Sequence, residues 1–417
     1  MMSTVTVIGQ GYVGLPLAQA AVGAGWRVYG LDVTQSLVDA LNVGTSHVDD
    51  LSDQDISTML DQGYCATTDP QVIGESDVVV ICVPTPLSES GGPDLTAVRQ
   101  SSATISAHLK SGTTVILEST TYPGTTEDVV IPILESQSGL KAGSDFDVAF
   151  SPERINPGDP VYGIKNTPKL VGGITDHATQ SAVQFYGGFV DEVVPVSGPK
   201  EAETAKLLEN TFRHVNIALV NEMSKFCHEM GIDIWEVIRG AATKPFGYMP
   251  FTPGPGVGGH CIPIDPNYLA YQVKNELGYP FRFVELAQEI NNSMPEYVVE
   301  RVARLLNDQE RSVKGSKILL LGVTYKSDIA DQRESPAVPV AELLLARGAR
   351  VRFHDPHVTS WRLEDQTLSV VPDLGSSIDE ADVVVLLQAH QSYDLDGIVS
   401  RSRVFFDTRG KSKGIKL

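Results

Sequence analysis

The chain has 417 residues, of which 42% are hydrophobic and 20% are charged, and its formal net charge is −20. This length is too great for one hydrophobic core and predicts two or three domains. The strong negative charge disfavours a nucleic-acid partner, because phosphates would be repelled. The sequence also has no apolar run of about 18 residues. We therefore expect no nucleic acid and no membrane among its partners.

The four cysteines, Cys65, Cys82, Cys227 and Cys261, are widely spaced and form no C-x-x-C pair. This pattern favours reduced thiols over a disulfide framework or a zinc site. The first three residues lead directly into a predicted strand and leave no room for a secretory signal. We therefore expect a cytoplasmic protein without a metal site.

The N-terminus has the order strand, glycine-rich turn, helix, strand and acid. An apolar strand at residues 4–8 is followed by three glycines spaced G-x-G-x-x-G, a helix at 15–24, and a strand at 28–31 that ends at Asp32. This is the context that a dinucleotide-binding motif requires, with the pyrophosphate at the helix N-terminus and the acid on a ribose hydroxyl. The acid favours NAD over NADP. The predicted cofactor-binding residues here are Gly9, Gln10, Gly11, Tyr12, Val13, Gly14 and Asp32.

Three further predicted strands of the first half end in polar loops. The strand at 77–83 leads to Thr85, the strand at 113–117 leads to Thr120, and the strand at 147–150 leads to Glu153 and Arg154. Open parallel sheets bind ligands beyond the carboxyl ends of their strands. We expect these loops to face one crevice.

The rest of the chain predicts a helical region and then a second α/β region. Residues 201–242 contain no proline and have a wide apolar helical pattern, with a break expected near Gly231; a second helix is expected at about 281–306. Strands at 317–322, 350–353, 382–387 and 404–407 and a helix at 336–347 follow. We predict an α/β protein with two Rossmann-like doubly wound domains joined by a central long-helix domain. The expected boundaries are 1–195 for the NAD domain, 196–305 for the helical domain and 306–417 for the second Rossmann-like domain.

Cys261 lies in a loop rich in glycine and proline at residues 254–266, four residues before Asp265. Such a backbone fits neither a regular helix nor a strand. A thiol presented on a loop near an acid is a candidate nucleophile, whereas a free cysteine is more often a small core residue. The glycines, His260 and Asp265 make a poor core segment, and we favour the nucleophile. His260 is not assigned as its base, because adjacent side chains usually diverge.

Several cations and polar groups have spacings that suit an anionic ligand. Lys206, Asn210 and Arg213 lie at i, i+4 and i+7 of the long helix and therefore share one face. Lys326 and Arg333 occupy a loop between a strand and a helix, and Arg409 follows the last predicted strand. A solvated helix face and ordinary loop charge are the alternatives. A protein of net charge −20 has to bind an anion with a few placed cations.

Taken together, the motifs resemble those of the UDP-sugar 6-dehydrogenases over nearly the whole chain. They are G-x-G-Y-V-G-L-P, V-P-T-P, E-S-T-x-x-P-G-T, S-P-E-R, K-L-x-E-N, G-P-G-V-G-G-H-C-I-P-I-D-P and K-x-D-x-x-D-x-R-E-S-P. The resemblance implies an NAD domain, a central helical domain that forms a homodimer, and a domain that holds the UDP-sugar. It also implies two successive oxidations of a sugar C6 alcohol to a carboxylate, with two NAD.

The resemblance further implies roles for single residues. Cys261 matches the nucleophile, which would carry a thioester, and the other catalytic positions match Lys206, Asn210, Asp265, Glu153 and Thr120. Thr85, Thr120 and Arg333 match cofactor-binding positions. The substrate-binding set is Glu153, Arg154, Lys206, Asn210, Arg213, Gly258, Lys326 and Arg409. Pro157 stands where enzymes acting on UDP-glucose carry a second glutamate, which leaves open the group that assists thioester hydrolysis.

The branch of the family is a separate expectation. Arg154, Arg213 and the segment 243–250 are more similar to enzymes acting on UDP-N-acetylhexosamines, with UDP-N-acetylglucosamine favoured and UDP-N-acetylmannosamine or UDP-glucose as alternatives. The product would serve the synthesis of a surface polysaccharide. Two hypotheses from other functional classes stay open: a two-electron β-hydroxyacid dehydrogenase, which needs no thiol, and a non-catalytic NAD-binding protein. A thiol is superfluous for converting an alcohol to an aldehyde, but covalent catalysis by Cys261 suits the step from aldehyde to acid.

Overall fold

The structure is a computed structural model that describes residues 3–48, 50–88, 92–155, 161–259 and 262–417. Three residues discussed above, Pro157, His260 and the predicted nucleophile Cys261, lie outside these ranges. The chain forms two compact units. Unit 1 comprises Met1–Glu209 with Asn267–Leu277, and unit 2 comprises Asn210–Pro266 with Gly278–Leu417. The three domain boundaries predicted from the sequence stay predictions.

Unit 1 is built on an eight-stranded sheet. Its strands are β1 (Thr4–Ile8), β2 (Arg27–Leu31), β3 (Tyr64–Thr67), β4 (Val78–Ile81), β5 (Thr114–Leu117), β6 (Asp147–Phe150), β7 (Lys169–Gly173) and β8 (Val193–Pro195). They lie in the order β3-β2-β1-β4-β5-β6-β7-β8, and all neighbouring pairs are parallel except β6 and β7. After β3 the chain crosses to the other side of β1, where β4 pairs with β1, and this reversal of strand order creates the crevice where such sheets bind ligands.

Helices connect the strands of unit 1. They are α1 (Gly14–Gly23), α2 (Gln35–Asn42), α3 (Asp53–Asp61), α4 (Thr96–His108), α5 (Ile131–Ser138) and α6 (Asp176–Tyr186), with a short 3₁₀ helix at Pro70–Glu75 and a π-helical turn at Thr126–Val130. Ser52 caps α3 through a capping box with Asp55, and the Thr175 side chain caps α6. Alternate residues of the central strands β4, β5 and β6 pack into two separate apolar clusters, as expected of a sheet buried on both faces.

One long helix, α7 (Pro199–Glu229), starts in unit 1 and ends in unit 2. The chain turns at Gly231, whose φ is +68°, and continues as α8 (Ile234–Ala242). Several apolar residues of its pattern are exposed within the single chain, with Leu219 at 55% and Phe226 at 52%, and the homodimer predicted through this helix stays a prediction. The buried side of its second half carries small and polar groups.

Unit 2 contains the remaining elements. The helix α9 (Asp265–Gln272) begins in unit 2 and continues in unit 1 through a π-helical turn at Val273–Leu277. The later helices of unit 2 are α10 (Arg282–Asn292), α11 (Met294–Asn307), α12 (Ala337–Ala346), α13 (Leu374–Glu380) and α14 (Leu395–Arg401). The single helix predicted at 281–306 is wrong, because the structure has two helices that meet at Ser293. Pro295 lies in the first turn of α11, where its missing N–H costs least.

The second sheet has five parallel strands. The strands of unit 2 are β9 (Lys317–Leu321), β10 (Arg350–His354), β11 (Ser360–Arg362), β12 (Thr367–Ser369), β13 (Val383–Leu386), β14 (Phe405–Asp407) and β15 (Ile415–Lys416). The sheet order is β10-β9-β13-β14-β15, and β11 and β12 form a separate antiparallel pair. The strand expected to close the region, β14, is followed by β15. Within the described ranges, no helix is long and apolar enough to cross a membrane.

Candidate functional site

The glycine-rich turn after β1 has the backbone that a dinucleotide site needs. Gly9 has φ of +89°, and a Cβ there would lie 2.6 Å from the Cys82 carbonyl oxygen. A Cβ on Gly14 would lie 1.9 Å from the Gly9 oxygen, so only glycine lets α1 approach the turn. A Cβ on Gly11, in contrast, would meet nothing within 4 Å. The turn is thus closed on its protein side and open at Gly11, where a pyrophosphate would approach the N-terminus of α1.

Asp32 lies at the end of β2, beside this turn. Its carboxylate accepts hydrogen bonds from the backbone N–H groups of Gln10 and Thr34, both at 3.0 Å. The Gln10 side chain is buried and accepts from the Tyr64 hydroxyl at 2.7 Å. Asp32 is therefore held at the edge of the turn, with an acceptor for ribose hydroxyls. These residues fit NAD, and they lack the cation that a 2′-phosphate would need.

The loops after β4 and β5 are joined directly. The Thr85 hydroxyl donates to the Thr120 carbonyl oxygen at 2.7 Å. From α9, the Tyr268 hydroxyl donates to the Thr85 carbonyl, and the Gln272 side chain donates to the Pro123 carbonyl at 2.7 Å. Since β4 and β5 are adjacent and parallel, both loops leave the same edge of the sheet. The structure thus brings Thr85 and Thr120 together, as the sequence predicted.

Glu153 and Lys206 also meet in unit 1. Glu153 follows β6, the next strand in the sheet, and Lys206 projects from α7 with 7% of its surface exposed. The Lys206 ammonium donates to the Glu153 backbone carbonyl, and the Glu153 carboxylate accepts from the Ile155 N–H. A cation and a carboxylate from two predicted catalytic positions are therefore adjacent.

Arg154 is held by groups that the sequence did not single out. Its Nη2 and Nε donate to Glu209 at 2.7 and 3.3 Å, and its Nη1 donates to the Pro168 carbonyl at 2.6 Å. These bonds use three of the five N–H groups of a guanidinium. The planar fork is thus fixed in orientation by α7 and by the segment before β7.

Glu203, one turn before Lys206, anchors the loop that follows Thr120. It is fully buried, and its two carboxylate oxygens accept from the Gly124 N–H at 2.6 Å, the Thr126 N–H at 2.9 Å and the Thr126 hydroxyl at 2.7 Å. Burial raises the pKa of Glu203 to about 7, although the three donated hydrogen bonds lower it. Sequence reasoning missed this residue. Its only signal was an acid on the face of α7 that also carries Lys206.

In unit 2, Asn210 on α7 donates from its side chain to the Asp265 carboxylate at 2.5 Å. Asp265 is the first residue of α9 and is 3% exposed. This contact brings together two residues that the resemblance assigned to the same chemistry. Arg213, one turn further along α7, is exposed.

The described part of the loop before Cys261, residues 254–259, packs on other segments of unit 2. A Cβ on Gly254 would lie 2.9 Å from the Arg409 guanidinium, and one on Gly258 would lie 2.8 Å from the Tyr325 side chain. The Gly259 N–H donates to the Arg333 carbonyl at 3.2 Å. The loop therefore needs glycine at position 258, where a Cβ would also lie 2.6 Å from the Glu334 carbonyl oxygen. It lies against segments that carry three predicted ligand-binding cations.

Those three cations differ in their surroundings. Burial lowers the pKa of Arg409 to about 10, while Asp407 raises it, so that Arg409 stays protonated at neutral pH; its Nε donates to the Leu387 carbonyl at 2.6 Å. The Arg333 guanidinium is half-exposed and pairs with the Asp331 carboxylate at 2.6 Å. Lys326 is half-buried in the loop after β9, where its carbonyl accepts from the Thr324 hydroxyl at 2.7 Å.

A buried amide network holds the start of this loop and was not foreseen. Asn221 on α7 accepts from the Gly254 N–H at 3.0 Å and donates to Asn291 at 2.9 Å, and Asn291 donates to the His214 carbonyl at 3.2 Å. Burial lowers the pKa of His214 to about 4, so its ring is neutral. The asparagines explain the polar buried side of α7.

Three side chains that could bind a metal lie together in unit 2. They are Asp328, His357 and His390, and their ligand atoms lie within 4.8 Å of one another. Both ring nitrogens of His390 are already engaged. Nδ1 accepts from the Asp328 N–H at 2.9 Å, and Nε2 contacts the Asp355 carboxylate at 3.0 Å. A metal would have to displace the first of these bonds. The group supports the structure of the loop after β9.

The sequence-predicted residues thus fall into two sets. Unit 1 brings together the glycine-rich turn, Asp32, Thr85 and Thr120, and separately joins Glu153, Arg154 and Lys206 through α7. Unit 2 joins Asn210 to Asp265. It places Gly258 beside the segments that carry Lys326 and Arg333, and it places Gly254 beside Arg409. Cys261 lies outside the described residues.

The segments described above match known proteins. Models of the UDP-glucose/GDP-mannose dehydrogenase family match residues 3–190 (NAD binding domain), 200–293 (central domain) and 319–413 (UDP binding domain). The chain is 36% identical over 420 residues to an NDP-N-acetyl-D-galactosaminuronic acid dehydrogenase of Ralstonia solanacearum, covering 98% of this chain and 96% of that protein. It is 35% identical over 393 residues to a UDP-N-acetyl-D-glucosamine 6-dehydrogenase of Pseudomonas aeruginosa, covering 93% and 91%.

A solved structure supports the same assignment. A UDP-D-ManNAc dehydrogenase from Pyrococcus horikoshii superposes with a TM-score of 0.89 at 32% identity, covering 98% of this chain and 96% of that one. The predictions of the family, the α/β fold class, the dehydrogenase activity and NAD as the cofactor are confirmed. The chain belongs to the UDP-glucose/GDP-mannose dehydrogenase family and is an NAD-dependent oxidoreductase.

Proposed function

We propose that this protein oxidises the C6 hydroxyl of a UDP-N-acetylhexosamine, with UDP-N-acetylglucosamine favoured, to the C6 carboxylate for surface polysaccharide synthesis. The observation that carries the proposal is the contact of the Lys206 ammonium with the Glu153 carbonyl, in a family with NAD and UDP binding domains. This contact holds a cation at the residue that carries the Glu153 carboxylate, at the carboxyl end of the parallel sheet, where chemistry is expected.

The first oxidation removes the C6–H as hydride and the hydroxyl proton, giving an aldehyde. Bound NAD supplies the hydride acceptor for this step and for the second oxidation, held by the turn at residues 9–14 and by Asp32. Lys206 stabilises the negative charge that develops on the C6 oxygen, because its ammonium is nearly buried and already oriented. Glu153 is the adjacent carboxylate that can take up a proton.

The second oxidation needs a covalent step. The Cys261 thiolate adds to C6 of the aldehyde, and the resulting thiohemiacetal loses a second hydride to become a thioester. Attack of water on the thioester carbon releases the C6 carboxylate and returns the thiol. The Asn210–Asp265 pair offers an amide donor and a carboxylate for the oxyanion and the water of this stage.

The number of NADH formed per substrate tests this sequence. We expect two NADH per UDP-sugar and one carboxylate product. Cys261→Ser should lose the second oxidation, whereas Cys227→Ser, which removes a buried thiol, should retain both. One NADH per turnover with a fully active Cys261→Ser variant would support a two-electron dehydrogenase instead. NAD binding without turnover of any UDP-sugar would support a non-catalytic protein.

The identity of the sugar is the finer part of the proposal. Relatives named for galactosaminuronic acid, glucosamine and mannosamine derivatives are similarly distant from this chain. An N-acetyl group needs a polar partner, and the fixed fork of Arg154 and the exposed Arg213 are arginines able to offer one. Side-by-side NADH assays with UDP-N-acetylglucosamine, UDP-N-acetylmannosamine and UDP-glucose decide, and dominance of UDP-glucose would overturn the branch assignment.

We also propose a homodimer through α7. Its exposed apolar residues in unit 2 include Leu219, Met223 and Phe226, and Met230, directly after the helix, is 63% exposed. Contiguous apolar surface of this kind usually marks an interface. Phe226→Asp should dissociate the dimer in sedimentation velocity at micromolar concentration, whereas Asp61→Lys, a charge reversal at an exposed position of α3, should not. A wild-type monomer would contradict the proposal.

Two further expectations stay proposals. Domains at 1–195, 196–305 and 306–417 are supported by the three family matches, and proteolysis at their boundaries tests them. A cytoplasmic location is supported by the free thiols of Cys65, Cys82 and Cys227, since disulfides are rare in that compartment. Cell fractionation tests this location.

A further inference from the structure

A cluster of buried ionisable side chains lies behind Glu153, entirely within unit 1. Lys169 on β7 has a side chain that is only 5% exposed. Its ammonium donates to one oxygen of Glu118, at the end of β5, and lies 3.7 Å from the Glu153 carboxylate. The Tyr186 hydroxyl on α6 donates to the other Glu118 oxygen at 2.7 Å. One ammonium therefore bridges two carboxyls, and only Glu153 of the two adjoins Lys206.

Two other groups face this cluster. Lys206 reaches the Glu153 carbonyl from α7, and the Cys82 thiol, directly after β4, is buried close to Glu118. Burial raises the pKa of Cys82 well above its usual value, so the thiol is neutral. Burial also raises the pKa of Tyr186, which is therefore a neutral donor. Lys169 is thus the cation that lies between the two carboxyls.

The two carboxyls have opposite tendencies. Burial raises the pKa of Glu118, and the nearby Glu153 charge raises it further against the opposing effect of Lys169. Burial alone would raise the pKa of Glu153, but Lys169, the Ile155 N–H and Lys206 hold it below its usual value. When the environments of two neighbouring carboxyls shift their pKa values in opposite directions, one carboxyl is protonated and the other is ionised.

We propose that Lys169 is a positioning residue of the oxidation: it bridges Glu118 and Glu153, keeps the Glu153 carboxylate ionised and oriented beside Lys206, and leaves Glu118 as the carboxyl that carries a proton. The role rests on the proposed function, in which Glu153 takes up a proton near the substrate. Lys169 acts only through Glu153. The strand that carries it, β7, pairs antiparallel with β6, so the chain segment before Glu153 and Lys169 lie side by side.

Charge-changing variants test the proposal through the pH profile of kcat. Lys169→Met should move the acidic limb, where Glu153 becomes protonated, to higher pH by about 1–3 units, because a carboxylate loses its cation. Lys169→Arg should restore the wild-type profile. Glu118→Gln should not move the limb upward, because the glutamine is uncharged, as is the protonated Glu118 that it replaces. Lys165→Met, which removes an exposed lysine four residues earlier, serves as the control and should leave the profile unchanged.

A second measurement needs no substrate. Infrared titration of the NAD-free protein between about pH 5 and pH 9 should show a buried carboxylic acid band in the wild type that is absent in Glu118→Gln. Lys169→Met should add a second band at neutral pH. A folded Lys169→Met with an unmoved acidic limb, or an unchanged band in Glu118→Gln, would overturn the proposal. Absence of turnover with every UDP-sugar would instead refute the proposed function, and the infrared result would still decide the proton placement.

Discussion

We expect Glu203→Gln to speed hydrogen exchange at the Gly124 amide, in the loop after Thr120. The nearby Thr126 amide should change much less. The wild-type carboxylate offers two oxygens, one to the Gly124 N–H and the other to the Thr126 N–H and hydroxyl. Glutamine has the same shape but one oxygen. The orientation that keeps more bonds turns this oxygen to Thr126 and sets the amide NH₂ against the Gly124 N–H.

The structure gives the size of the effect. The bond to Gly124 is short, at 2.6 Å, and the site is buried, so no solvent replaces the lost acceptor. Leaving a buried N–H without a partner costs about 1–3 kcal/mol. Since about 1.36 kcal/mol is a factor of ten, the Gly124 amide should exchange with solvent roughly 5- to 150-fold faster, and the Thr126 amide should change much less.

Hydrogen exchange at single-amide resolution measures this directly. The experiment is best done near pH 8, because Glu203, whose pKa burial raises to about 7, is then ionised. Glu201→Gln is the matched control, since Glu201 is exposed one half-turn earlier on α7 and should alter neither amide. Equal acceleration at Gly124 in both variants, or none in Glu203→Gln, would refute the reasoning.

Three other outcomes follow from the same geometry. Asp32→Ser should narrow the preference for NAD over NADP by about tenfold in kcat/KM, because it removes the charge that repels the 2′-phosphate. Arg213→Ala should reduce the preference for UDP-N-acetylglucosamine over UDP-glucose by roughly 5- to 150-fold, as expected for a buried amide left unpaired. Because burial raises the pKa of Glu203, its proton stabilises the fold. The excess thermal stability of the wild type over Glu203→Gln should therefore be greatest below about pH 4.5 and fall as the pH rises through about 7.

The sequence predicted the fold class well because its strongest patterns are local. The strand β4 is an unbroken run of β-branched residues, and the turn at Gly9 and Gly14 has steric demands that only glycine meets. The antiparallel strand β7 was missed, since Lys169-Leu-Val-Gly-Gly begins with a charge and ends in two glycines. Its assignment depends on pairing with β6, which is a tertiary contact. The division between α10 and α11 was missed because their apolar pattern continues across Ser293.

The candidate site shows the same limit. Lys206, Asn210 and Arg213 were found because helical spacing is visible in one segment. Glu118 and Lys169 lie 51 positions apart, and no periodicity relates them. Their importance arises from burial: in water the two carboxyls and the ammonium would each be charged independently, whereas in the core the charge of each depends on the other two. Such a cluster becomes visible only when the sheet order places β5, β6 and β7 side by side.

The two faces of α7 show what an apolar pattern alone leaves open about burial. The pattern residues Leu219 and Phe226 are exposed, and the opposite face buries Asn221, whose amide holds the Gly254 N–H. A helix places polar groups inside when a neighbouring loop has backbone groups to satisfy, because a buried N–H without a partner is costly. The glycine-rich loop has such groups and few side chains of its own. The partner of the Gly254 N–H therefore comes from α7, and the apolar side of the helix faces outward, where the proposed homodimer would cover it.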